Sequence, residues 1–195
     1  NNRSTEDGGG GFYILSDLTI TDSLIHNNTT TGRGAGGYIE GSSNFVITGS
    51  QVSQNINSGG KGGGLFIDDS QGLIQNTKII GNKTLNSEGA GLFLDGVTNV
   101  TLQDSEVAEN QAYTYGGGID LYDDMIQLHI ENSSIHDNSA TETGGAVANF
   151  GSQVTVNKSS FYNNSAVTEG GAFYLAYGSS ILLENSTVTN NQADT

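Results

Sequence analysis

One phrase recurs along the whole chain and restricts what it can fold into: a small hydroxyl residue, a variable residue, an apolar residue, two variable residues, then asparagine. It runs from Ser23 to Asn28, Ser50 to Asn55, Thr77 to Asn82, Ser105 to Asn110, Ser133 to Asn138, Ser159 to Asn164 and Ser186 to Asn191. With Asn2 as a leading copy, the steps between these asparagines are 26, 27, 27, 28, 28, 26 and 27 residues. A repeat of this period signals a solenoid. Each unit is too small to bury its apolar residues alone and buries them by stacking on the next.

The rest of each unit aligns on the same frame. Two residues after the hydroxyl residue stand Ile25, Val52, Ile79, Val107, Ile135, Phe161 and Val188. Three before it stand Ile20, Ile47, Ile74, Leu102, Ile130, Val156 and Leu183, and five before it Leu18, Phe45, Gly72, Val100, Leu128, Val154 and Ile181. Such alternation is the period of a strand with one face buried. Earlier in each unit a Gly/Ala triplet, such as Gly62-Gly63-Gly64 or Gly144-Gly145-Ala146, precedes a second alternating segment. Its inward positions read Phe12, Gly37, Leu65, Leu92, Ile119, Val147, Phe173, then Ile14, Ile39, Ile67, Leu94, Leu121, Asn149, Leu175. No helical apolar stripe interrupts the pattern. Two or three short strands per unit, stacked at about 4.8 Å, predict an all-β fold, a right-handed parallel β-helix (solenoid). It would have about seven coils of 26–28 residues and form one segment over residues 1–195.

Composition narrows the function classes. Six Lys and Arg stand against 21 Asp and Glu, a formal charge of −15. So acidic a surface repels phosphate backbones and anionic lipid, which argues against nucleic-acid partners. No apolar run approaches the roughly 18 residues of a membrane span, so no membrane insertion of this segment is expected. Cysteine is absent, which removes disulfides, thiolate metal sites and cysteine nucleophiles together. Apolar residues at 34% and no proline argue against disorder.

Four rows carry candidate roles. Asn28, Asn55, Asn82, Asn110, Asn138, Asn164 and Asn191 are expected to form a structural ladder, since asparagine both donates and accepts and tolerates left-handed backbone. The Ser/Thr row reads as stacked corner hydroxyls with no His–Asp pair to activate a nucleophile. The middle residues of the first strand are expected to point outward, and Tyr13, Tyr38, Phe66, Phe93 and Tyr174 then form an exposed aromatic row suited to sugar rings or a protein surface. Asp120 and Ala148 share that row. At the turn after it lie Asp17, Glu40, Asp68, Asp69, Asp95, Asp123 and Asp124. These read first as solvated turn residues. Asp68-Asp69 and Asp123-Asp124 are the places for Ca²⁺ if any is bound.

Enzymatic constellations fare poorly. Arg3, Arg33, Lys61, Lys78, Lys83 and Lys158 are scattered and are not expected to face the acidic turns, and near-constant unit length leaves no long loops to wall a cleft. Carboxylates on adjacent coils reach a glycosidase-like separation by accident alone. His26, His129 and His136 read as surface residues.

Two units carry Gly-Gly-Ala with a following apolar residue, Gly144-Gly145-Ala146-Val147 and Gly170-Gly171-Ala172-Phe173, and one carries Phe161-Tyr162-Asn163-Asn164. In these motifs the chain resembles the polymorphic outer-membrane-protein repeats and related bacterial β-helix adhesins, the other units carrying relaxed forms. The resemblance implies a secreted or cell-surface rod presented to other cells. Its partners would be glycans or the surface proteins of host or neighbouring cells. Both ends fall within the repeat, so a segment of a longer rod or end-to-end self-association into a filament is expected. The resulting expectation is a non-enzymatic extracellular rod acting in adhesion or as a structural filament component. The alternative is a carbohydrate-active β-helix enzyme, a polysaccharide lyase or glycoside hydrolase.

Overall fold

The computed structural model describes residues 2–41, 43–96 and 98–194. Each unit forms one coil. In the third, strands run over Leu65–Asp68, Gln71–Gln75, Lys78–Ile80 and Lys83–Thr84, and every other coil repeats this order. There are therefore four strands per coil rather than two or three. Like strands of successive coils pair in parallel, giving three seven-stranded sheets and one of eight strands, and no helix occurs among the described residues. The first sheet runs from Phe12–Ile14 to Phe173–Ala176 and the second from Leu18–Thr21 to Ser180–Glu184. The third runs from Leu24–His26 to Thr187–Thr189, and the fourth from Arg3–Ser4 to Gln192–Ala193.

Register follows the sequence frame: Leu65 pairs with Leu92, Ile74 with Leu102 and Ile79 with Val107. Their side chains fill one continuous axial core that also holds Ile47, Ile130 and Phe161. Where the inward row has glycine, a ring from the neighbouring coil takes the space. Phe12 lies where a Cβ on Gly37 would stand, and Phe45 does the same at Gly72. Asn149 occupies a core position yet is satisfied, its amide bonding the backbone of Ser152 at 2.8 and 3.0 Å.

Two polar ladders fix the corners. Each Asn Oδ1 accepts from the backbone N–H and the Nδ2 of its counterpart one coil earlier, as Asn110 does from Asn82 at 2.9 and 3.0 Å. Its own Nδ2 donates to Ile79 O at 2.9 Å and to Asn138 Oδ1 at 2.9 Å. The Ser/Thr row works in parallel: Ser105 Oγ accepts from Thr77 N at 3.1 Å and donates to Gln103 O at 2.7 Å. The left-handed backbone does not fall on the ladder asparagines. It falls on the residue before each, Asn27, Gln54, Gly81, Glu109, Asp137, Asn163 and Asn190, at φ between 53° and 65°. The bend is thus carried by one residue, and the amide of the next is free to bridge coils.

Candidate functional site

The aromatic row departs from expectation. Tyr38, Phe66 and Phe93 are 1% exposed or less and form a second apolar cluster outside the first sheet. Asp120 and Ala148, in the same row, are fully buried. Only Tyr13, in the first coil, stands well out of the fold, and Tyr174 is half-buried. The cause lies in the turn that leads into each first-sheet strand. Its glycine at positive φ, such as Gly62 or Gly89, folds the chain back over the outer face of the strand. An alanine Cβ at Gly89, at φ 65°, would stand 2.7 Å from both Cβ and Cδ2 of Phe93. Gly89→Ala is therefore expected to lower stability by about 1–2 kcal/mol, read from the urea midpoint. A neutral result would mean that this turn does not clamp the row.

The residue before that glycine lies over the rings. Arg33 places its guanidinium carbon 5.6 and 5.5 Å from the ring centres of Tyr38 and Phe66. Lys61 Nζ sits 4.6 Å from Phe93 and 3.4 Å from Tyr122, with Glu88 Oε1 at 2.7 Å. The ring centres follow one another along the axis at 4.8–4.9 Å from Tyr13 to Phe93, with Tyr38 and Phe66 meeting edge to face and the other pairs stacked. Tyr38, Phe66 and Phe93 are thus covered structural residues and offer no open contact surface.

The acidic row lies at the corner between the first and second sheets. Asp68 accepts from the Tyr38 hydroxyl at 3.3 Å, and Arg33 Nη1 donates to that hydroxyl at 3.2 Å. Contrary to expectation, one cation therefore does reach the acidic turns. Burial, with Asp95 and Asp69 beside it, holds the Asp68 carboxyl above its ordinary range. Asp123 Oδ1 accepts from the Asp124 backbone at 2.6 Å. No group of three or more His, Cys, Asp or Glu side chains able to hold a metal ion is assembled among the described residues. His136 is no free surface residue, since it bonds Glu106 at 3.1 Å and Asp137 at 2.7 Å and stacks on Tyr162.

In coils five to seven this corner changes character. The turns there bring Tyr122, Phe150 and Tyr177 together with Tyr115, Asp123 and Asp124 around a groove of about 660 Å³. Tyr115 and Tyr174 both approach Phe150, at 5.3 and 5.6 Å between ring centres. Of these residues the sequence frame had marked only Asp123, Asp124 and Tyr174. The available signal was an aromatic residue standing in turns that elsewhere carry acids.

The model of the family described as right-handed β-helix region matches residues 1–135 and again 63–195. The chain belongs to this family, which gives the coils their right-handed sense. Neither the curated proteins nor the solved structures yielded a match.

Proposed function

We propose that this chain is a non-enzymatic, extracellular or cell-surface rod that acts in adhesion. The observation that carries the reading is the regularity of the coils: strands stay in register from the first to the last, and no inserted loop walls a cleft among the described residues. The corner hydroxyls and His136 are engaged in holding the coils. The serine and threonine hydroxyls of the corner row accept backbone N–H groups, and His136 lies between two carboxylates. A rigid repeat suits many weak contacts displayed at fixed spacing, where strength comes from multivalency.

The test has two arms. Beads carrying many copies are expected to retain cells under flow, while free monomer competes only weakly. The purified protein is expected to leave neutral and acidic polysaccharides intact, with no new reducing ends or unsaturated products. Depolymerisation at catalytic protein concentration would overturn the reading in favour of a carbohydrate-active enzyme.

A further inference from the structure

We propose that the groove at the sheet corner of coils five to seven seats an organic cation, the arginine side chain of a protein partner. The inference deepens the adhesion reading by naming the chemistry of the partner. Four rings and two carboxylates line the groove, and no basic residue is among the lining side chains. A planar guanidinium is attracted to ring faces and to carboxylates alike, and it sheds water more readily than an ammonium does.

The molecule already builds such a seat one step away. Lys61 lies on Phe93 and Tyr122 with Glu88 completing its charge, and Arg33 occupies the preceding one on Tyr38 and Phe66. Along this row the chain then stops supplying cations, because the equivalent later positions are Glu88, Tyr115, Thr143 and Glu169. Tyr122 belongs to both arrangements: Lys61 lies over its ring, and its remaining surface lines the groove, leaving it 52% exposed.

Tyr177 lines the groove from the seventh coil. Its backbone sits at φ 57° in a tight turn with Gly178, closed by Ser179 N–H donating to Ala176 O at 3.1 Å. The turn holds its ring beside Phe150, with centres 6.2 Å apart. Charge decides between occupants. An acidic glycan would be repelled by Asp123 and Asp124, and a neutral one would donate hydrogen bonds to them but gain no charge attraction. A cation draws on both the rings and the carboxylates.

The experiment titrates the full chain with a short unstructured peptide bearing one arginine, with the same peptide carrying citrulline, and with a neutral gluco-oligosaccharide. Calorimetry measures affinity, and amide NMR shifts locate the site. Arginine peptide is expected to shift resonances at Tyr115, Tyr122, Phe150 and Tyr177. Citrulline is expected to weaken binding about tenfold, as are Tyr177→Ala and Asp124→Asn together. Raising the salt should weaken it further. Equal affinity for citrulline, or binding of the neutral sugar alone, overturns the cation seat. Failure of peptide binding while beads still retain cells overturns the seat and spares the adhesion reading. Peptide binding accompanied by polysaccharide turnover upholds the seat and removes that reading.

Discussion

Asn110→Ala is expected to destabilise the rod by about 4 kcal/mol, measured as the shift in urea midpoint. The substitution removes the acceptor of two buried donors, the Asn82 backbone N–H and one N–H of its side-chain amide, whose other bond to Val52 O remains, and it removes a donor from the Ile79 carbonyl. Each such group costs about 1–3 kcal/mol when it cannot reach water. Asn110 is fully buried, so water cannot substitute. Asn191→Ala makes the control, because its side chain occupies the same ladder position but is only half-buried. Its partners Asn164 and Phe161 lose the same kinds of bond, here part-buried rather than buried, and the expected loss is smaller, about 1–2 kcal/mol. Stability in a stacked fold is close to a sum over neighbouring coils, so the central variant is also expected to split unfolding into two steps. Equal losses at both sites would mean that burial of the ladder contributes nothing.

The ladder was legible because bridging coils through one position demands the same side chain every time. The axial core was legible for a similar reason: Ile47, Ile74 and Leu102 lie over one another and differ only in shape. The left-handed corner was not, since Gln54, Glu109 and Asp137 adopt it beside the usual Asn and Gly. A backbone angle enforced by stacking leaves little mark on residue type. The aromatic row was misplaced for a different reason. Alternation sorts a strand into two faces but does not say that the second face meets water. The cover comes from the preceding turn, and its trace is a single residue, Arg33 or Lys61, ahead of a glycine triplet. The groove of coils five to seven shows in sequence only as the loss of the acidic pattern, when Phe150 and Tyr177 take up the corner.

Asp120→Ala is expected to make the protein more stable at neutral pH by about 2 kcal/mol, an unusual direction for a buried position. Asp120 replaces an aromatic ring between Phe93 and Ala148, is fully buried, and neither carboxylate oxygen has a hydrogen-bond partner. Burial raises its carboxyl well above the ordinary value near 3.8, and the charges of Glu88 and Asp95 add to the shift while Lys61 opposes it. The fold therefore holds this proton more tightly than the unfolded chain does. The group's contribution is fully favourable below about pH 3.8 and is lost as pH rises through the raised folded value. Alanine abolishes that dependence, and Ala148 shows that the row accepts it. The stability curves of the two proteins should thus approach one another near pH 4 and separate toward pH 7, with the variant above. Asp17 and Glu106, whose carboxyls are held below their ordinary values, titrate in both proteins and cancel in the difference. A variant less stable than the parent at pH 7 would mean that the Asp120 carboxylate has a partner in solution, and the row would then have to be read as a polar site.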